Sequence, residues 1–175
     1  MRYWYDTEFV DDGKTIDLIS IGMVAEDGRE YYAESTEVNR DKANDWVRAN
    51  VFPHLRGCAL TPAFHEIGPC SNPGCVMRRR SQIALELFAF CDPERYGKPE
   101  LWAYYADYDH VAFCHLFGTM MDLPKGFPMY TMDIKQWCKM LGDPRLPEQG
   151  KGEHNALADA RWNKLAWKFL QEYKS

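Results

Sequence analysis

Two acidic residues, Asp6 and Glu8, stand two positions apart at the end of the apolar, aromatic stretch Met1 to Tyr5. If Met1 to Phe9 is a β-strand, alternation puts both carboxylates on one face with Cα atoms roughly 6.6 Å apart. Like charges on one face are unfavourable unless a cation sits between them. The pair is therefore either half of a clamp for a divalent metal ion or an ordinary solvated strand end. Candidate partners lie further along the chain. Tyr108-Asp109 follows the apolar run Leu101 to Tyr105, and Asp107 competes with Asp109 because alternation sends both to one face if the strand continues. His154 and Asp159 stand five residues apart at the head of an amphipathic segment. That spacing separates two residues by about 140° around a helix, so His154 belongs in the loop before the helix and Asp159 in its second turn. Carboxylate oxygens are hard ligands that select Mg²⁺ or Mn²⁺, and a loop imidazole beside them is suited to general-base work.

Strands and a terminal helix must hold these groups, and the patterning supplies them. Residues 1 to 9 read as a strand, Ile16 to Ala25 as a central strand apolar on both faces, and Asp27-Gly28 as a hairpin turn that returns Arg29 to Ser35 against it. Asn39 can cap a helix from about Asp41 to Val51. Helical periodicity returns over Arg79 to Cys91, and Leu101 to Tyr105 is a fourth strand. Asp107 to Phe117 turns into a short helix, Met129 to Met132 forms a fifth strand, and Asp133 can cap a helix through Leu141. The last helix runs from Asn155 to about Tyr173 with an apolar stripe of Leu157, Ala160, Leu165, Phe169 and Leu170. The chain of 175 residues suits a single domain, residues 1–175. Three strands in succession, then strands alternating with helices, fit an α/β three-layer fold, a mixed five-stranded sheet flanked by helices.

Asp-x-Glu, then aromatic-Asp after a later strand, then His-x-Ala-x-x-Asp opening the last helix make an ordered set. With it the chain resembles the DEDDh 3′-5′ exonucleases of the ribonuclease H-like superfamily from first strand to last helix. It is most similar to the ribonuclease AS type, which trims RNA 3′ ends with a preference for polyadenylate. The stretches that carry this are Tyr5-Asp6-Thr7-Glu8-Phe9, Ile19-Ser20-Ile21-Gly22, Asp27-Gly28-Arg29-Glu30-Tyr31-Tyr32-Ala33 and Tyr108-Asp109-His110-Val111-Ala112. The resemblance implies an exoribonuclease that takes the 3′ end of single-stranded RNA and releases 5′-mononucleotides using two Mg²⁺ or Mn²⁺ ions. In that pattern Asp6 bridges both ions, Glu8 and Asp159 hold the one that activates water, Asp109 holds the second, and His154 is the general base. Phe9 would stack on or wedge between terminal bases, and Trp102 and Tyr105 are further base-stacking candidates. Relatives are commonly dimers, which implies a homodimer. The alternatives are a DNA-directed 3′-5′ exonuclease and a catalytically inactive nucleic-acid-binding module.

Composition bounds these readings. A formal charge of −5 and a pI near 5.5 argue against a protein that coats long nucleic acid through a basic face. Two divalent ions would offset most of that charge locally. Arg78-Arg79-Arg80 is the densest basic cluster, either a solvated helix start or an RNA-backbone contact. No apolar run reaches a membrane span, and charge near Arg2 and Asp6 disfavours a signal peptide, so the expected location is cytoplasmic with no membrane partner. The six cysteines are then expected as thiols, with Cys91, Cys114 and Cys138 in the core. An irregular Cys/Pro/Gly-rich insertion at about 56–76 carries Cys58, His65, Cys70 and Cys75. Those four could bind Zn²⁺, but their uneven spacing, with no Cys-x-x-Cys pair, favours a plain loop.

Overall fold

The first strand becomes the middle of the sheet because it has an apolar residue to offer on either side. In the computed structural model, which describes residues 1–58, 70, 72, 74–150 and 152–173, β1 (Arg2–Asp11) pairs antiparallel with β2 (Ile16–Ala25) and parallel with β5 (Glu100–Ala103). Tyr3 and Tyr5 bury one way and Trp4 the other. β3 (Glu30–Ser35) returns against β2 through the Asp27-Gly28 turn, where Gly28 takes a φ of +93° that a side chain would disfavour. β4 (Met77–Arg78) lies parallel to β3, and β6 (Met132–Asp133) lies parallel to β5. Among the described residues the sheet thus has six strands, ordered β4-β3-β2-β1-β5-β6, not five. The extra strand is the two-residue edge β4, too short to carry any periodicity.

Helices cover both faces, as expected of the three-layer arrangement. α2 (Arg80–Cys91) and α4 (Asp107–His115) bury Ile83, Leu87, Cys91, Ala112 and Phe113 against Tyr3, Tyr5, Ile21 and Met23. α3 (Pro93–Tyr96) is a single turn between α2 and β5. On the other face lie α5 (Ile134–Met140), capped by Asp133 as expected, and α6 (Ala156–Tyr173). Their Ile134, Cys138, Ala166, Trp167 and Leu170 pack on Trp4 and Trp102. The buried side of α6 also takes Ala156, Leu157, Ala160 and Asn163, whereas Leu165 is exposed. α1 (Asp45–Asn50) packs Val47 on Val10 and Ile19. The single helix expected from Asp41 is two pieces: a 3₁₀ turn at Arg40–Lys42 capped by Asn39, then α1 capped by Asn44.

Three details set the shape around the sheet's centre. The β1–β2 register shifts between Glu8 and Phe9, leaving Ile19 without a partner, so Leu18 packs with Ile21 while Ile19 turns to the opposite face under α1. Gly22, opposite Asp6 in β2, carries α6 directly: a Cβ there would lie 2.3 Å from backbone atoms of Ala156 and Leu157. Glu34, buried in β3, accepts hydrogen bonds from the Arg56 N–H (2.6 Å), the Gly57 N–H (2.9 Å) and the Tyr32 hydroxyl (2.7 Å). Its own N–H donates to Val76 O at 2.9 Å, so one residue of β3 holds the chain on both sides of the insertion.

Candidate active site

Asp6 and Glu8 leave β1 on the face that α6 covers, and the first turn of α6 brings Asp159 to them. The close approach at Gly22 makes that possible, since any side chain would push the start of α6 away from the strand. Asp109 arrives from the first turn of α4, where it is buried and Asp107 is exposed. The strand does not continue to this point, so the alternation that made these two equivalent does not operate. All four carboxylates and His154 line one cleft of about 430 Å³.

Each group is held by its neighbours. The Thr7 N–H and hydroxyl both donate to Asp109 Oδ1, at 2.7 and 2.6 Å. The His154 backbone N–H donates to Asp159 Oδ2 at 2.9 Å, and the Gln149 amide donates to Oδ1. His154 stands in the turn before α6 with φ +67°, a left-handed backbone that aims its ring at the cleft. Its ring packs edge-on against Trp46 at 4.8 Å. A ligand atom from each of Glu8, His154 and Asp159 lies within 4.8 Å of the other two. Asn155 fixes the helix start by accepting from the Ala158 N–H and donating to His54 O.

The electrostatics are those of anions crowded out of water. Burial first, then Asp109, Glu8 and Asp159, push the Asp6 carboxyl well above the usual carboxylate range. Burial, then Asp159 and Asp109, raise Glu8 to about 8. Asp109 is raised to about 7 by burial, which outweighs the two bonds from Thr7. Burial also lifts Asp159 to about 6 against the bonds from His154 and Gln149. Four carboxyls raised by burial, three of them also by other members of the set, are a donor set that a divalent cation would relieve, and their hard oxygens suit Mg²⁺ or Mn²⁺.

Of the aromatic candidates, Phe9 lines the cleft, stacked on Tyr108 with ring centroids 5.7 Å apart, and Tyr105 lines it with a largely exposed ring. Trp102 lies elsewhere: it is buried against Trp137 and Trp167, beneath α5 and α6, so base stacking at the cleft is closed to it. Position along the strand is the reason: Trp102 pairs with Trp4, on the same face as Asp6 and Glu8 but one step back from them, where α5 and α6 close over the sheet. Two of the three clustered arginines are spent on structure: Arg78 pairs with Glu86 and the Cys75 and Met77 carbonyls, and Arg80 pairs with Asp17, whereas Arg79 is exposed. Sequence reasoning missed Thr7, Trp46 and Gln149. Thr7 was legible in principle, between the two acidic residues; Trp46 showed only as a helix position, and Gln149 gave no signal.

No family model matches the chain. Two curated relatives, both named 3′-5′ exoribonuclease, come from Mycobacterium tuberculosis strains CDC 1551 and H37Rv. Each is 46% identical over 161 residues, covering 92% of this chain and 88% of the relative. Among solved structures, the Mg²⁺- and Mn²⁺-bound form of S. pombe Pop2p matches with a TM-score of 0.52 at 12% identity, over 97% of this chain and 81% of that one. That likeness is one of fold.

Proposed function

The chain belongs to the family of these mycobacterial 3′-5′ exoribonucleases, and from that premise we propose that it hydrolyses single-stranded RNA from the 3′ end, as a DEDDh-type enzyme of the ribonuclease AS kind. The observation that carries the reading is the meeting of Asp6, Glu8, Asp109, Asp159 and His154 in one cleft. Asp6, Glu8 and Asp159 would hold one divalent ion and Asp6 and Asp109 a second. When bound, such ions polarise the scissile phosphate, supply an activated water and stabilise the leaving oxygen. His154 takes the proton of the attacking water, and its place in a turn lets the ring follow that water while Asp159 stays fixed on the helix. Phe9, stacked on Tyr108, and Tyr105 offer flat faces for the terminal bases. Stacking tolerates any base, so the adenylate preference rests on the resemblance to the ribonuclease AS type.

The test is a gel assay with Mg²⁺ or Mn²⁺ on 5′-labelled oligo(A) RNA, mixed-sequence RNA and DNA of equal length. We expect a metal-dependent 3′ ladder on RNA, fastest on oligo(A). Asp109→Asn and Asp159→Asn should lower turnover by at least about a thousandfold, and Asp107→Asn should leave it near that of the unaltered chain. DNA degraded as fast as RNA would make the enzyme DNA-directed, and no degradation by folded, metal-loaded protein would overturn catalysis altogether.

A further inference from the structure

The insertion between α1 and β4 brings three of the six cysteines together. The Cys58 and Cys70 sulfurs are 3.6 Å apart, and the Cys75 sulfur lies within 4.8 Å of both. Cys75 is buried and the other two are half-buried. A disulfide needs a sulfur–sulfur distance of about 2.05 Å and would join two of the three, excluding the third. Tetrahedral zinc with Zn–S bonds of about 2.3 Å has sulfur–sulfur edges of about 3.8 Å. The observed spacing fits that edge. Spacing in sequence favours a plain loop because it does not show that the chain closes on itself here: Glu34 holds Arg56 and Gly57 on one side and Val76 on the other. Cys58 and Cys75 therefore stand at the neck of the segment, and Cys70 folds back to them. The Asn72 side chain supports the group, donating towards Cys58 Sγ at 3.9 Å and accepting from the Gly74 N–H at 3.1 Å. His65, the fourth soft donor of this stretch, lies outside the described residues.

We propose that Cys58, Cys70 and Cys75 form a structural site for a thiophilic divalent cation, Zn²⁺, distinct from the oxygen-ligand cleft, with the fourth position completed by water or a further donor. The site would tie the neck of a segment that contributes no residue to the core apart from Cys75 among the described residues. It stands independently of the proposed activity. The division of labour follows ligand softness: thiolates retain zinc, and the carboxylate cleft exchanges Mg²⁺ or Mn²⁺ with solvent.

The test uses the full chain purified without chelator, passed over a chelating resin and analysed for zinc by mass spectrometry. We expect about one zinc per chain, retained in Asp6→Asn and Asp159→Asn and lost in the Cys58→Ser/Cys70→Ser double variant. Because that variant can fail to fold, Co²⁺ exchanged into the unaltered protein provides a second reading. Thiolate-to-cobalt charge-transfer bands with the strong visible absorption of a tetrahedral site are expected. Less than about a tenth of a zinc per chain, with no such bands after reduction and reconstitution, overturns the proposal. So does zinc that stays with the folded cysteine variant, or a Cys58–Cys70 disulfide in protein kept under reducing conditions.

Discussion

Thr7 occupies one oxygen of Asp109 from two directions, and so leaves Oδ2 for a metal ion. Second partners of this kind set ligand orientation and are worth roughly 10- to 100-fold in metal affinity. Thr7→Val keeps the shape and the backbone bond but deletes the 2.6 Å hydroxyl contact. It should raise the Mg²⁺ concentration for half-maximal activity about tenfold, and Thr7→Ser should restore it; a titration curve unmoved by Thr7→Val would show that the hydroxyl positions nothing. At this scale the sequence was most legible where chemistry demands a residue type. Asp6 and Glu8 alone could equally have been a solvated strand end; what singled them out was their place in an ordered set with Asp109, His154 and Asp159. Tryptophan carries no such signature, because burial and stacking use the same ring. Trp102 sits beside the middle motif in the sequence and Trp46 far from any, yet the first lies in the core and the second against His154.

At the scale of elements, the contact between β2 and α6 decides whether the site exists. Gly22→Ala would set a methyl group 2.3 Å from the backbone at Ala156 and Leu157, where no flexible side chain can yield. Overpacking of this kind costs about 1–3 kcal/mol, or a melting temperature lower by roughly 2–12 °C at this chain length. The displaced helix start carries Asp159 with it, so turnover should fall by about 100-fold, more than the stability loss alone would give. Calorimetry paired with the RNA assay at a temperature where the variant is folded checks this, and unchanged activity would mean that the helix start tolerates the shift. Long elements were readable because periodicity accumulates: α2 and α6 begin and end within a residue or two of where their patterns place them. Short ones were not. β4 is defined only by partners, the Glu34 N–H on Val76 O and the Thr36 N–H on Arg78 O, and nothing in Met77-Arg78 announces them.

The molecule as a whole carries a penalty that its metal would remove. Glu8, Asp109 and Asp159 have carboxyls raised to about 8, 7 and 6, and burial with its acidic neighbours holds Asp6 well above the usual carboxylate range. A carboxyl raised in the folded state favours folding at low pH, and that contribution is lost as pH rises through the folded value. Without Mg²⁺, the chain should therefore lose stability progressively from about pH 4, where the carboxyls titrate in the unfolded chain, to about pH 8. Saturating Mg²⁺ at a hundred times its dissociation constant adds about 2.7 kcal/mol, or roughly 5–10 °C in melting temperature. The gap between melts with and without Mg²⁺ should be widest near pH 8 and small at pH 5.5. Asp6→Asn should raise the Mg²⁺-free melting temperature while abolishing turnover. A Mg²⁺ effect equal at both pH values would show that the carboxylates are not protonated in the way their burial implies.

Glu34 has a consequence for how this chain could change over time. Arg56, Gly57 and Val76 are all fastened to one strand residue, so the sheet fixes the two ends of the segment between them at one point. Joining two fixed ends costs free energy that grows only with the logarithm of the length between them, about 0.6 kcal/mol for each doubling. A change of length confined to the stretch between Cys58 and Cys70 would therefore leave the three thiols at the neck, and β1, α4 and α6 around the cleft, in their places.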